Sequence, residues 1–201
     1  MRISLSDFDG PRLLHPVRHE DHRGFFSETW AADRFREDGI EQSWVQDNHS
    51  ASIAAGTLRG LHFQLPPHAQ AKLVRVPKGA VYDVIVDLRE GSPTFGAWSG
   101  VELSDSNWNQ LFVPEGFAHG FCTLQPDTHV MYKVSAPYAP QAESGLRWDD
   151  PSLAIEWPKI GGRYVVTERD RAWPSLAQVQ LPFTRERSTT RVPASTSGVA
   201  L

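Results

Sequence analysis

The segment that most constrains this chain is residues 71–88, AKLVRVPKGAVYDVIVDL. Two runs rich in apolar and β-branched residues, 71–76 and 80–88, flank the turn signal Pro77-Lys78-Gly79, and together they read as a β-hairpin. The same grammar recurs along the chain. Further strands are expected at 56–63, 98–103, 110–113, 120–123 and 128–134. Turn signals separate them: Gly91-Ser92-Pro93, Ser104-Asp105-Ser106-Asn107, Pro114-Glu115-Gly116 and Gln125-Pro126-Asp127. Many short strands at this spacing point to an all-β fold, a sandwich, jelly roll or barrel. One short helix is expected at 31–38, with Asp33, Arg34, Arg36 and Glu37 on its polar face and Gly39 where a C-terminal cap belongs. No period of 20–50 residues marks a repeat architecture.

Composition narrows the function classes. At 201 residues and 40% apolar content the chain can bury one core without disulfides or metal, so one domain is expected. The formal charge is −4, leaving no basic excess for phosphate neutralisation, so no nucleic-acid partner is expected. An anionic small molecule needs only a few arginines. A single cysteine, Cys122, cannot form an internal disulfide, which fits a reducing cytoplasm. Apolar runs are short and the start, MRISLSDFDG, has no signal-like stretch, so no membrane role is expected. From Thr184 the composition turns to Ser, Thr, Arg and Ala without periodicity. The expected division is therefore one domain, 1–183, and a mobile tail, 184–201.

Polar residues with chemical potential interrupt the apolar strands. Residues 59–64 read Arg-Gly-Leu-His-Phe-Gln. Strict alternation puts His62 and Gln64 on one face with Gly60 and turns Arg59 to the other, unless a bulge intervenes. Lys72 begins the next strand, His119 follows the 114–116 turn, and Tyr132-Lys133 lies in a later strand. Polar residues on an inner sheet face line a cavity in folds of this kind. Each has a plainer alternative. His62 reads equally as a hydrogen-bonded structural histidine, Lys72 as a snorkelling strand end, Tyr132 as a core aromatic, and Arg23 and Arg59 as surface ion-pair partners. His15, His19, His22, His49, His68 and His129 show no partner spacing and read as surface or structural. No His-x-His, His-Glu-x-x-His or Cys-x-x-Cys spacing occurs, so no metal is expected. Cys122, in GFCTL, reads as packing, and no nucleophile elbow, Walker loop or dinucleotide fingerprint is present.

Seven segments in register carry a resemblance. They are DHRGFFSETW (21–30), VQDNHS (45–50), LRGLHFQ (58–64), AQAKLVRVPKGAVYDVIVDLREGSPTFGAW (69–98), LFVPEGFAHGF (111–121), YKVSAPYAPQAESGLRWDDPSLAIEWP (132–158) and TERDRAWPSL (167–176). Over roughly residues 1–180 the chain strongly resembles the dTDP-4-dehydrorhamnose 3,5-epimerase family, whose fold is a cupin-type β jelly roll. The resemblance implies His62 as catalytic base, Asp170 as the carboxylate that orients it, Tyr132 as general acid and Lys72 beside the keto oxygen. It implies substrate contacts from Arg23, Phe26 and Glu28, from Gln46, Asp47 and Asn48, and from Arg59, His119 and Glu143, with Tyr138 stacking on thymine. Arg169 stands where the family commonly has Lys; the charge is kept, but the two side chains are not interchangeable. VPEGFAHGF resembles the second cupin motif, whereas the His-x-His of the first is absent, as in a family that works without metal or other cofactor. Family members are usually homodimers, and an N-terminal segment pairing across the interface would cover an exposed edge strand.

The chemistry implied is inversion at two carbons flanking a ketone, with dTDP-4-dehydro-6-deoxy-D-glucose as substrate. A weakly acidic proton α to a carbonyl needs a base, and histidine titrates near neutrality. A buried carboxylate stabilises the resulting imidazolium, and a fixed cation stabilises the oxyanion. Inversion needs a proton donor on the opposite face, which suits Tyr132. Three other readings share parts of this pattern. One is an epimerase of C3 or C5 alone. The second is a metal-dependent cupin such as a dioxygenase. The third is a nucleotide-sugar binding module without turnover.

Overall fold

The computed structural model describes residues 1–184. The expected tail lies outside the described residues except for Thr184, which bridges to Glu90. Twelve strands and two short helices follow in chain order among the described residues: β1 (Arg12–Leu14), β2 (His19–Asp21), β3 (Gly24–Phe26), α1 (Ala32–Glu37), β4 (Gln46–Ser52), β5 (Leu58–Gln64), β6 (Lys72–Lys78), β7 (Ala80–Asp87), β8 (Trp98–Ser104), β9 (Gln110–Val113), β10 (Phe117–Thr123), β11 (Thr128–Val134), β12 (Glu143–Gly145) and α2 (Glu168–Ala172). One antiparallel sheet runs β12-β5-β10-β7-β8 and the other β1-β9-β6-β11-β4, while β2 and β3 form a separate two-stranded ribbon. The all-β jelly-roll architecture expected from the sequence is thus present.

The 71–88 expectation is half corrected. Both runs are strands, but they do not pair. β6 lies between β9 and β11 in one sheet, and β7 between β10 and β8 in the other. Gly79 turns the chain between the sheets: its φ is +80°, and a Cβ there would sit 2.4 Å from the Thr128 hydroxyl. Its N–H donates to the Asp105 carboxylate at 2.7 Å. Turn chemistry announces a reversal, but a corner and a hairpin use the same residues.

Three apolar layers hold the sheets. Between them lie Val74 and Val76 of β6, Val81 and Ile85 of β7, Leu111 and Val113 of β9, Phe117 and Phe121 of β10, and Val130 of β11. Each such buried side chain is worth roughly 1.5–3 kcal/mol over exposure. On the outer face of the first sheet, Leu58, Leu61, Val84, Val86, Ala118 and Cys122 pack under the C-terminal segment through Leu146, Leu153, Trp157 and Phe183. Cys122 is buried, and burial pushes its thiol up to about 11, in line with the packing role expected of it. The α1 region covers part of the other sheet, with Phe35, Ile40 and Trp44 on Leu73 and Phe112. No helix among the described residues is long and apolar enough to cross a membrane.

Candidate active site

The site begins with a bulge. His119 of β10 faces His62 of β5, yet Phe121, two residues on, faces Arg59, three residues back. The extra residue re-phases β5, so Arg59 and His62 share the inner face while Leu58, Leu61 and Phe63 enter the outer core. Simple alternation would have separated Arg59 from His62. Gly60 makes this possible: its φ is +124°, and an added Cβ would lie 2.5 Å from the Gly120 backbone.

His62 meets Asp170 across the fold, with Nε2 2.6 Å from Oδ1. The Asp170 side chain is only 3% exposed and that of His62 25%, so the carboxylate is sealed while the imidazole reaches open space. Asp170 sits in α2, whose N-cap Thr167 accepts from the Asp170 N–H at 3.2 Å. Burial pushes the Asp170 carboxyl up. Against that, the His62 bond and charge, the Gly60 N–H and the Thr167 hydroxyl outweigh it and hold the group below the ordinary carboxylate range. An ionised Asp170 accepts, so His62 Nε2 carries the proton and Nδ1 keeps the free lone pair.

His62 opens on a cavity of about 230 Å³ that is also lined by Gln46, Asn48, Lys72, Tyr132, Tyr138 and Glu143, together with Phe63, Gln64 and Gln70. Sites that engulf a drug-sized ligand run to roughly 300–1,000 Å³. This cavity therefore has room for one end of an extended ligand, and the rest must lie across its rim. Tyr132 stands on β11 of the opposite sheet from His62. Burial raises its hydroxyl pKa, and the nearby Arg59 charge pulls it back down. Lys72 Nζ donates to the His62 carbonyl at 3.3 Å. Burial pushes its ammonium down to about 8, opposed by the carboxylates of Asp83 and Glu143.

The rim is built from a bonded chain. Tyr138 donates its hydroxyl to Glu143 Oε2 at 2.8 Å, and Arg169 donates to the same oxygen at 2.9 Å. The Tyr138 N–H donates to Gln46 at 3.0 Å, and Gln46 donates to Asn48 at 2.8 Å. Gln64, polar but buried, is fully committed to the backbone of His68, Pro137 and Ala139, so it pins the Tyr138 loop.

Other expected residues lie elsewhere. Asp47 points to the opposite face of β4 and pairs with Lys133 at 3.0 Å. Arg59 bonds Ser52 and the Ala51 carbonyl. His119, the register partner of His62, is buried and does not line the cavity; its Nε2 lies 2.9 Å from Asp83 Oδ1. Arg23 pairs with Asp21, Glu28 pairs with Arg34, and Phe26 is 70% exposed at the ribbon end, so none of the three lines the cavity. Among the described residues no group of three or more His, Cys, Asp or Glu comes together as a metal site. Sequence reasoning missed Asp83, Gln70 and Thr167. Asp83 had a signal, a carboxylate inside the apolar strand AVYDVIVD; the others had none.

Comparison with known proteins supplies the family. A model described as dTDP-4-dehydrorhamnose 3,5-epimerase matches residues 6–178. The chain is 51% identical over 172 residues to an enzyme of that name from Sinorhizobium fredii, covering 86% of this chain and 88% of the other. It is 42% identical, with TM-score 0.85, to the crystal structure of a Legionella pneumophila 3,5-epimerase in complex with dTDP-4-keto-L-rhamnose, covering 89% and 96% of the two chains. A 3′-monoepimerase from Streptomyces bikiniensis in complex with dTDP-quinovose is 36% identical, with TM-score 0.78, over 84% and 85%.

Proposed function

Because the chain belongs to the dTDP-4-dehydrorhamnose 3,5-epimerase family of isomerases, we propose that it inverts both C3 and C5 of dTDP-4-dehydro-6-deoxy-D-glucose, giving dTDP-4-dehydro-L-rhamnose. The observation that carries this is the His62–Asp170 pair opening on a small polar cavity, with Tyr132 and Lys72 on the facing sheet.

In this reading His62 Nδ1 removes the proton α to the ketone at one carbon and, once the imidazolium has lost that proton to solvent and Tyr132 has regained one from it, at the other. Asp170 steadies the imidazolium and fixes the tautomer. The Lys72 ammonium neutralises the enolate oxygen. Tyr132, reaching in from the other sheet, returns a proton to the opposite face of the ring, and that opposition inverts the centre. The sugar occupies the cavity and the thymine lies on Tyr138 at the rim, with Glu143, Arg169, Gln46 and Asn48 as polar neighbours. Arg59, whose charge is felt at the Tyr132 hydroxyl, and His119, the register partner of His62, act on the sugar and diphosphate end in this reading from outside the cavity lining.

A homodimer completes this picture. The β2–β3 ribbon belongs to neither sheet and presents Arg23 and an exposed Phe26. β4, whose Gln46 and Asn48 line the cavity, is an edge strand. A ribbon arriving from a second copy would cover that edge and bring Arg23, Phe26 and Glu28 to the nucleotide. Sedimentation equilibrium should return twice the chain mass; a monomer at micromolar concentration would remove this arrangement.

Proton NMR in deuterated water, with purified protein and dTDP-4-dehydro-6-deoxy-D-glucose, tests the activity. Deuterium entering C3 and C5, with a rhamno-configured product after reduction, is the expected result. Incorporation at one carbon alone would establish a mono-epimerase, as in the Streptomyces bikiniensis relative. Saturable binding without incorporation would leave a binding module.

A further inference from the structure

We propose that Trp173 is a positioning residue for the proton transfer: its ring, acting by shape and not by hydrogen bonding, sets the tilt of the His62 imidazole and so the aim of Nδ1. The inference rests on His62 being the base. Trp173 immediately follows α2, the five-residue helix that carries Asp170. Its ring meets His62 edge to face, with centroids 6.3 Å apart and planes at 70°. Gly145, the register partner of His62 on β12, supplies the space for it. A Cβ on Gly145 would sit 2.7 Å from Trp173 Cε2, so the indole occupies the volume that a side chain there would take. The Arg147 N–H donates to the Pro174 carbonyl at 2.9 Å and ties the two segments together just beyond this contact.

The polar end of the indole plays no part in this arrangement. Trp173 Nε1 is buried without a hydrogen-bond partner, so bonding does not explain the residue's place. An unpaired buried donor is destabilising, and a phenyl ring would avoid that cost. What the ring does provide is a second restraint. The bond to Asp170 holds the imidazole at one atom and leaves it room to tilt. An edge-to-face aromatic neighbour has a preferred geometry and removes that room. Proton transfer is sensitive to such aim: displacement of a reacting group by an ångström costs up to about 10²-fold.

The test compares W173F with W173L, both of which keep bulk beside Gly145. Two signals are read. One is the rate of C5–H exchange in deuterated water at saturating substrate, with KM. The other, in ligand-free protein, is the downfield proton resonance of the His62–Asp170 bond. W173F is expected within about threefold of the parent rate with the resonance intact. W173L is expected to lose more than about thirtyfold in kcat, with KM within about twofold and the resonance broadened. Equal behaviour of Leu and Phe would overturn the proposal, as would equal damage in both. If the parent protein showed no exchange, the epimerase reading would fail separately; the resonance comparison alone would then decide whether the ring orients His62.

Discussion

Two histidine–carboxylate pairs start from neighbouring strands, and their difference is instructive. His62 and His119 are register partners across β5 and β10. Each bonds a buried carboxylate, Asp170 at 2.6 Å and Asp83 at 2.9 Å. The His62 side chain is 25% exposed and lines the cavity, whereas that of His119 is 8% exposed and does not. Asp170 comes from a late helix capped for the purpose, while Asp83 is part of a central strand. The pair that meets open space can exchange protons with a ligand. The sealed pair can only set a field, and that field reaches Lys72, whose ammonium Asp83 helps to keep protonated. Identical chemistry thus divides into transfer and support according to access.

Substitutions should widen this division. The largest effect is expected from D170N, which keeps the shape of the open pair but releases the tautomer. C5–H exchange should fall by about 10²–10⁴-fold, with a modest fall in Tm at neutral pH. The stability from ionised Asp170 is present above its unfolded pKa of about 3.9 and lost as pH falls through its lower folded value. Urea denaturation of D170N should accordingly show a flatter acid branch. D83A in the sealed pair should do the opposite, losing about 3 kcal/mol of stability because the buried His119 loses its hydrogen-bond partner and the buried Lys72 ammonium a carboxylate that supports it. Calorimetry would read this as a Tm fall of roughly 6–12 °C. If D83A were as stable as the parent and only slow, the division would be wrong.

Tyr132 tests the far side of the cavity. Y132F should lower product formation by about 10²-fold while proton abstraction at C5 falls less than about tenfold. Equal loss of both would give Tyr132 another role. For Lys72 the readout is the pH dependence of stability. Its folded pKa of about 8 lies below the ordinary lysine value of about 10.4, so the folded chain binds fewer protons between those values. The penalty for burying the charge is full below pH 8 and is relieved as pH rises toward 10.4. K72M should thus be more stable than the parent at pH 7, by about 1–3 kcal/mol, and inactive. The alkaline limb of kcat/KM should lie near pH 8 in the parent and move lower in D83N, which removes the attraction that raises the Lys72 pKa.

Much of the fold was legible because strand runs and turn residues alternate sharply. β9 and β11 fall at the expected 110–113 and 128–134. The helix expected at 31–38 is α1, with Gly39 just beyond its end. What stayed hidden depends on long-range pairing. Strand β4, QDNHSAS, has almost no apolar residues: Gln46 and Asn48 face the cavity, and Asp47, His49 and Ala51 between the inward positions are exposed. The assignment of β6 and β7 to different sheets is set by their partners and not by the turn between them. Within the site, Arg59 and His62 look like opposite faces until the bulge is known. The bulge in turn needs Gly120 beside Gly60, two glycines far apart in the chain. The Asp170 contact with His62 came only through resemblance, since no local spacing links them. The ribbon residues Arg23, Phe26 and Glu28 sit apart from the cavity, which no alternation pattern would have indicated.

The most direct measurement is C5–H and C3–H exchange into deuterated water for H62N and H119N side by side, at saturating dTDP-4-dehydro-6-deoxy-D-glucose. The account predicts exchange at neither carbon in H62N and measurable exchange at both in H119N. Exchange persisting in H62N while vanishing in H119N would contradict it, and would move the base from the open pair to the sealed one.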